Sequence, residues 1–241
     1  MKKLLGFIAL LIFAVSITHA QNNKSDANIK TEERSVSDFS KISIQDGIDL
    51  YLRQGSSVDL TVKASEDIID KIITEVKDNT LIIKRKEESG KRWGWNNRNN
   101  YRQAVYLTIK DLEEISSSGG SDIEAEELDL EELTIRSSGG SDIKMEIDAK
   151  RLSLSMSGGS DIDIDGSTEE LVVRASGGSD LNAKNLKAVN CKVSTSGGSD
   201  VDVYASGKIS MSASGASDIT YSGPAEVTSK SSSGAADIRK N

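Results

Sequence analysis

The chain has 241 residues, with 30 lysines and arginines against 38 aspartates and glutamates, one cysteine and one histidine. This acidic balance argues against nucleic acid and against anionic membrane surfaces as main partners. The single histidine, His19, lies within the first 20 residues. A form without those residues can hold neither a Ser-His-Asp or Cys-His catalytic site nor a histidine-ligated metal.

Residues 1–20 have the pattern of a secretory signal peptide. Met1-Lys2-Lys3 is basic, residues 4–17 are apolar, and Thr18-His19-Ala20 offers a small-residue cleavage site. The apolar run is too short for a stable membrane span. We therefore expect an exported protein, in the periplasm, at the outer-membrane surface or secreted. Cleavage would leave 28 basic and 38 acidic residues, a net charge of −10.

After the signal peptide, residues 21–38 are polar and predict a flexible leader, and residues 39–115 predict an irregular N-terminal part of the fold. Alternating apolar residues in the latter indicate strands, with turns at Asp46-Gly47 and Gly55-Ser56. Ser65 precedes a cluster of isoleucines. We predict that it is the N-cap of a short helix or turn that covers one end of the domain. The isoleucines are Ile68, Ile69, Ile72 and Ile73.

The segment between two predicted strands, 81–83 and 105–109, differs in composition from the rest of the chain. It holds both tryptophans and several basic residues. Aromatic faces suit sugar rings or cations, and arginine suits carboxylates, so this segment is a candidate binding loop. A long hairpin whose tryptophans fold back onto the domain explains the same composition. The candidate ligand-binding residues are Trp93, Trp95, Arg98, Tyr101 and Arg102.

The C-terminal half, residues 116–238, is built on a repeat of 18 to 20 residues marked by Ser-Gly-Gly-Ser-Asp. Such a period is typical of supersecondary units that stack on one another. Apolar and polar residues alternate on both sides of each repeat motif, which indicates strands with one buried face. The first glycines are Gly119, Gly139, Gly158, Gly177, Gly197, Gly215 and Gly234. The aspartates are Asp122, Asp142, Asp161, Asp180, Asp200, Asp218 and Asp237.

These features predict an all-β protein, a single-stranded parallel β-helix with coils of about 19 residues. We predict right-handed winding, because parallel crossovers almost always take that hand. The first glycine of each motif is invariant, whereas Ala216 and Ala235 replace the second. Only the first position is therefore expected to need a positive φ. Cys191 falls in a column of leucines and isoleucine, which predicts a buried structural thiol.

The signal sequence, the stretch Ile48-Asp49-Leu50-Tyr51-Leu52 and the serial Ser-Gly-Gly-Ser-Asp corners resemble a known family. It is the family of auto-transporter adhesins with a head GIN domain, a former domain of unknown function common in Bacteroidetes. The resemblance covers about residues 39–238. It implies an exported β-helical protein, and it brings no catalytic residues.

Stacked coils would place the seven aspartates, the aspartate ladder, at intervals of about 4.8 Å. We predict that each carboxylate accepts backbone N–H bonds of its own turn; calcium on the ladder is the alternative. Neighbouring carboxylates also approach the separation of about 5 Å used by retaining glycosidases. However, every coil repeats the same side chain, and acidic additions such as Asp163 and Asp165 suit a solvated face. The sequence nominates no catalytic residue and no cofactor.

The sequence thus favours a non-enzymatic adhesin-like or scaffold protein that presents a regular face to a glycan or a protein. A carbohydrate-active β-helix, lyase-like or glycosidase-like, is one alternative, and a binder of lipid or another hydrophobic ligand at an open end is the other. Residues 239–241 are predicted as a tail, with no evident cap over the last coil. An uncovered end favours pairing of sheet edges, so a homo-oligomer is also predicted.

Overall fold

A computed structural model describes residues 28–86 and 103–241, which form a parallel β-solenoid of about seven turns with a spacing of about 19 residues. The predicted fold class is confirmed, while the hand of the winding stays a prediction. The N-terminal strands are β1 (Ile29–Arg34), β2 (Lys41–Ile44), β3 (Asp49–Gln54), β4 (Asp59–Ser65), β5 (Ile72–Lys77), β6 (Thr80–Arg85) and β7 (Gln103–Ile109). The repeat strands are β8 (Glu114–Ser117), β9 (Ile123–Gly139), β10 (Asp142–Gly158), β11 (Asp161–Gly177), β12 (Asp180–Gly197), β13 (Asp200–Gly215), β14 (Asp218–Ser222), β15 (Glu226–Gly234) and β16 (Asp237–Lys240).

Each of the strands β9 to β13 is a complete coil that runs from one Gly-Ser-Asp corner to the next. In β10 the side chains alternate between inside and outside, except that Lys150 and Arg151 both point outward. Two outward residues in succession mark a bend, so the strand turns there without losing its backbone pairing. The predicted apolar columns are all buried; Ile143, Leu152 and Leu154, for example, are at most 2% exposed. The coils therefore share one continuous core.

Neighbouring coils pair in parallel and stack like residues on like. Asp142 lies opposite Asp161, and Leu152 lies opposite Leu171. Cys191 takes its place in the leucine column with 5% exposure, which confirms the buried thiol. Burial raises the pKa of this thiol to about 12, so it stays protonated and unreactive at neutral pH.

The N-terminal coils do not stack in chain order. Strand β3 lies between β7 and β9, and β2 lies between β6 and β8. The β2–β3 coil is thus inserted between the coil made by β6 and β7 and the first coil of the repeat. Strands β1, β4 and β7 pair antiparallel, as do β5 and β6. This mixed region closes the N-terminal end of the solenoid.

The closing segment differs in detail from the sequence prediction. A 3₁₀ helix covers Ile69–Lys71, with Ile68 and not Ser65 at its N-cap position. Ser65 ends strand β4, and its buried hydroxyl has no hydrogen-bond partner, so the predicted serine cap is wrong. Burial of Ile68, Ile69 and Ile72 at 3% exposure or less holds the segment in place, which agrees with its predicted capping role.

The leader prediction is wrong for residues 29–34, because they form β1, which pairs with β4 along its whole length. Arg34 fixes this strand to the closing segment. Its guanidinium donates hydrogen bonds to the carbonyl oxygens of Ile69 at 3.0 Å and of Ile72 at 2.5 Å. A polar sequence can therefore form an edge strand when one arginine satisfies free carbonyls at the end of the core.

The C-terminal end carries polar residues at positions that face inward in earlier coils. Lys230 lies opposite Met211, and Ser232 lies opposite Ala213. The Lys230 ammonium donates a hydrogen bond to the carbonyl oxygen of Ile238 at 2.7 Å. Strand β16 extends to Lys240, two residues into the predicted tail. The end is thus polar, and pairing of ends, which stays a prediction, would rely on the backbone edges of β15 and β16.

Within the described residues, no helix is both long enough and apolar enough to cross a membrane.

Candidate ligand-binding face

The corners set the geometry of the outward face. All seven first glycines have positive φ, between 70° and 84°, as predicted. The second glycine has a positive φ only at Gly120, with a φ of 77°. That first repeat corner stacks on Asp46 and Gly47, which also have positive φ, at 69° and 66°. The positive φ of Gly120 follows from the close contact between its corner and the corner at Asp46-Gly47.

In six of the seven motifs, a serine directly before the aspartate holds the turn, a role predicted for the aspartate; Ala236 stands at this place in the last motif. This serine is fully buried in six of the motifs. In five of them its hydroxyl donates to the carbonyl oxygen of the motif's first serine; in the Ser179 corner the bond to Ser176 measures 2.8 Å. Ser121 instead accepts a 3.2 Å bond from the N–H of Ile48, which joins the first repeat corner to the β2–β3 coil.

The aspartates point outward and contact the next coil. Asp122 accepts a long bond of 3.3 Å from the N–H of Asp142, and Asp180 accepts one of 3.4 Å from Asp200. The predicted role as an acceptor within its own turn is therefore wrong. These bonds offset only part of the repulsion between stacked carboxylates.

Asp49 extends the aspartate ladder by one step and was missed by the sequence reasoning. The N–H of Leu50 donates to the carbonyl oxygen of Asp122 at 2.8 Å, so Asp49 stacks directly above Asp122. A signal for it was present: Asp46-Gly47-Ile48-Asp49-Leu50 has the spacing of Gly119-Gly120-Ser121-Asp122-Ile123.

The ladder forms one wall of an open groove of about 660 Å³, which we call the acidic groove. The other wall is the column of outward residues two positions further along each strand, the outer column. The aspartates in the groove are Asp49, Asp122, Asp142, Asp161, Asp180 and Asp200. The outer column consists of Tyr51, Glu124, Lys144, Asp163, Asn182 and Asp202. The groove therefore runs across six coils.

The electrostatics of the groove show in two of its carboxyl groups. Partial burial, and then the negative charge of Asp122, raise the pKa of Asp49 above 3.8, although a backbone hydrogen bond acts in the opposite direction. Burial, and then the charges of Asp122 and Asp161, raise the pKa of Asp142. The negative charges of their neighbours thus disfavour the ionised form of both groups.

A pair of tyrosines lies at the N-terminal end of the groove. Tyr51 and Tyr106 are neighbours on β3 and β7, their rings stack with centroids 4.9 Å apart, and each is 39% exposed. The Lys63 ammonium lies 4.3 Å from the centroid of the Tyr106 ring, a cation–π distance. A second open groove of about 560 Å³ borders the pair and includes Arg53. The two grooves meet at Tyr51, so the outward face is continuous.

Calcium on the ladder, which the sequence left open, receives no support from the arrangement of side chains. Among the residues that the structure describes, no group of three or more carboxylates, cysteines or histidines is close enough to hold a metal ion. The ladder carboxylates form a row and do not converge on a point, and calcium takes six to eight oxygen ligands.

The candidate loop residues Trp93, Trp95, Arg98, Tyr101 and Arg102 lie outside the described residues. Both ends of the loop are fixed beside the corner at Asp46-Gly47. Gln103 donates hydrogen bonds to the carbonyl oxygens of Asp46 and Gly47, at 3.1 and 2.5 Å. Arg85 donates to the Gln103 side chain at 2.9 Å. The described residues on either side of the loop, at the end of β6 and the start of β7, therefore lie beside this corner.

A family model described as "Putative auto-transporter adhesin, head GIN domain" matches residues 38–225. Among solved structures, the chain is similar to a putative adhesin from Bacteroides fragilis NCTC 9343, with 25% identity, a TM-score of 0.80, and coverage of 90% of this chain and 99% of that one. It is also similar in fold to a putative lipid binding protein from Parabacteroides distasonis ATCC 8503, with 22% identity, a TM-score of 0.67, and coverage of 90% and 98%. A putative adhesin from Parabacteroides merdae ATCC 43184 shares the fold at 16% identity, a TM-score of 0.66, and coverage of 90% and 98%. No curated protein matches the chain.

Proposed function

Because the chain belongs to the family of putative auto-transporter adhesins with a head GIN domain, we propose that it is an exported, non-enzymatic protein that attaches to a glycan or a protein at the cell surface. We propose further that it does so through the face formed by the acidic groove and the Tyr51–Tyr106 pair. The observation that carries this proposal is the continuity of that face over the N-terminal coils and the repeat.

A non-enzymatic role is supported by the repetition of the same aspartate at every level of the ladder. A glycosidase needs an acid and a base or nucleophile in different environments. Along the ladder the same aspartate recurs at every level, in the same register. The raised pKa values of Asp49 and Asp142 follow first from burial and then from the charges of neighbouring aspartates, and they distinguish no catalytic pair. A carbohydrate-active β-helix therefore remains the weaker alternative.

A hydrophobic ligand at the C-terminal end, the third hypothesis, is disfavoured by the polar last coil. Lys230 and Ser232 occupy the positions where a lipid chain would need apolar contacts, and burying them without partners is costly. The core beneath is filled by the side chains of β13, such as Ile209 and Met211, each 1% exposed. The lipid-binding description belongs to the Parabacteroides distasonis protein.

The experiment is a binding screen of the signal-free protein against immobilised polysaccharides, glycan arrays and intact cells. Three variants accompany it: Tyr51→Ser with Tyr106→Ser, Trp93→Ala with Trp95→Ala, and Tyr204→Ser as a matched control. Tyr204 is also an outward tyrosine with a lysine over its ring, Lys187 at 4.6 Å, but it lies outside both grooves.

We expect retention of a partner that the Tyr51/Tyr106 substitution reduces at least about tenfold, and that the control leaves unchanged. Loss only in the Trp93/Trp95 variant would move the contact to the loop. Release of reducing or unsaturated ends from a polysaccharide would establish an enzyme instead. An absence of retention on every surface would contradict the adhesin proposal.

A further inference from the structure

We infer that the acidic groove binds an extended, lysine- or arginine-rich polypeptide segment, with one cationic side chain seated on the Tyr51 ring. This inference names the class of partner for the proposed attachment face and rests on that proposed function. It follows from the charge of the groove, from its length, and from two cations of the chain itself that already occupy the two ends of the same face.

The charge of the groove is largely uncompensated. Six aspartates line one wall, and Glu124, Asp163 and Asp202 are in the other. Among the described residues that line the groove, Lys144 is the single cation. Repulsion between the aspartates contributes, after the larger effect of burial, to the raised pKa values of Asp49 and Asp142. A ligand with several cations relieves this repulsion along the groove. This adds a favourable contribution to the free energy of binding that a neutral saccharide does not offer.

The N-terminal end of the face shows how an ammonium binds there. The Lys63 ammonium covers the outer side of the Tyr106 ring at 4.3 Å. Since β3 lies between β7 and β9, the corresponding outer side of Tyr51 faces the groove. Asp49, Glu124 and Asp122 are close enough to raise the pKa of Tyr51 through their charges, after the larger effect of burial. Tyr51 therefore offers a second cation-binding site, with an aromatic ring on one side and carboxylates around it.

The C-terminal end shows how a guanidinium binds. Beyond the groove, Arg239 continues the line of the outer column at the level of Asp237. Its Nη1 lies 3.8 Å from the Asp218 carboxylate and 3.9 Å from the Asp237 carboxylate. One cation thus bridges two successive levels of the aspartate ladder. The groove ends at Asp200 and Asp202, directly before this internal pairing. Of the six outer-column residues beside the groove aspartates, Lys144 is the single cation, so the other five levels have no cation of the chain at this position.

The length of the groove favours a polypeptide over a small cation. Six levels at a strand spacing of about 4.8 Å span about 24 Å, the length of about seven residues of extended chain. No metal cluster is formed by the described carboxylates. A basic segment would place alternate side chains into the groove and gain from several weak ion pairs at once. Such an interface is steered by charge and weakened by salt.

The test measures binding of fluorescein-labelled octalysine to the whole signal-free protein by fluorescence anisotropy at two salt concentrations. Asp142→Asn with Asp161→Asn removes two charges from the groove. Glu169→Gln with Glu170→Gln removes two charges from outward positions elsewhere on the coil of β11. We expect the first pair to weaken binding at least about fivefold and the second to change it less than about twofold. Circular dichroism establishes that each variant is folded.

A second pair of variants tests the role of the Tyr51 ring. Tyr51→Leu keeps an apolar side chain but removes the ring, whereas Tyr51→Phe keeps the ring. We expect the leucine variant to bind octalysine about two- to fivefold more weakly and the phenylalanine variant to bind as the parent does. Equal losses in the two variants would show that the ring does not bind the cation, and unchanged binding in both would remove Tyr51 from the site.

Three outcomes would overturn the inference. Equal weakening by the two charge-removing pairs would show a non-specific response to net charge. Octalysine that fails to bind, while the screen still finds a retained partner, would refute the polycation and leave the adhesin proposal standing. A saccharide that displaces octalysine and loses affinity with Tyr51→Leu would assign the groove to a glycan. Conversely, groove-dependent octalysine binding without attachment to any screened surface would support the site and refute the adhesin role.

Discussion

At each corner of the repeat, the first glycine is fixed by two constraints. Its backbone has a positive φ, such as 82° at Gly177, which is costly for a residue with a Cβ atom. From Gly139 onward it also lies against the first glycine of the preceding motif. A Cβ on Gly177 would come within 2.8 Å of the Gly158 carbonyl oxygen. The second glycine, Gly178, meets the same oxygen only at 3.8 Å, and alanine already stands at this position in the last two motifs.

We therefore predict that Gly177→Ala lowers the free energy of unfolding by at least about 2 kcal/mol, because strain and steric overlap add. Gly178→Ala is the matched control and should leave the free energy unchanged or raise it by up to about 1 kcal/mol. Urea unfolding followed by circular dichroism measures both. Equal losses at the two positions would show that neither the positive φ nor the contact with Gly158 is decisive.

The exchange of roles between serine and aspartate shows what the sequence pattern already contained. In Ser179-Asp180-Leu181 the serine has the same parity as the buried leucine, so period-2 alternation places it inside and the aspartate outside. The aspartate was expected to bond to its own turn because Asx side chains commonly bond to nearby backbone. The alternation, applied through the corner, predicts the observed arrangement. The apolar columns were predicted by the same rule and are buried as expected.

At the scale of the strands, the coils of the repeat were predictable and the order of the N-terminal coils was not. The spacing of the motifs determines the pairing register of the repeat, because each motif must lie beside the next one. The insertion of the β2–β3 coil between β6–β7 and β8–β9 depends on pairings between distant segments, such as Leu50 with Ile123. A local pattern of apolar residues does not encode these pairings. The spacing of residues 46–50 therefore indicated a further corner but not that Asp49 stacks on Asp122.

The stacking of carboxylates at this scale predicts a pH dependence of stability. The pKa of Asp142 is raised in the folded protein, first by burial and then by Asp122 and Asp161. The folded state therefore binds this proton more tightly than the unfolded chain does. Stability falls as the pH rises from 3.8 through the raised pKa, and the loss is complete above it. Below 3.8 the group is protonated in both states and contributes nothing.

We predict that Asp142→Asn is more stable than the parent at pH 7 and that the difference disappears as the pH falls below 3.8. Urea unfolding at a series of pH values measures it. Glu169→Gln, on a different side of the solenoid, serves as the control and should show no such trend. A stability difference between Asp142→Asn and the parent that is the same at all pH values would contradict the role of charge.

At the scale of the whole molecule, the two ends of the solenoid avoid exposing the core in different ways. The N-terminal end is covered by the 3₁₀ helix and by strand β1, which Arg34 holds to the carbonyl oxygens of Ile69 and Ile72. The C-terminal end has no covering segment in the described chain. Its last coil instead replaces the inward apolar residues with Lys230 and Ser232. Terminal repeats with a polar outer side are a general requirement for soluble solenoids.

This arrangement predicts that Lys230→Met together with Ser232→Ala converts the C-terminal end into an apolar surface that associates with a second copy. The substitutions restore at the last coil the kind of side chains found one coil earlier, Met211 and Ala213, and such a patch favours burial. Sedimentation velocity at increasing protein concentration should show a rise in mean mass relative to the parent.

The matched control is Lys192→Met with Ser194→Ala, the same two changes at outward positions of β12, which should leave the mean mass as in the parent. An unchanged mass for the Lys230/Ser232 variant would show that the polar last coil is not what limits pairing of the ends. A parent that already associates would point to the backbone edges of β15 and β16 as the contact, because edge pairing needs no apolar side chain.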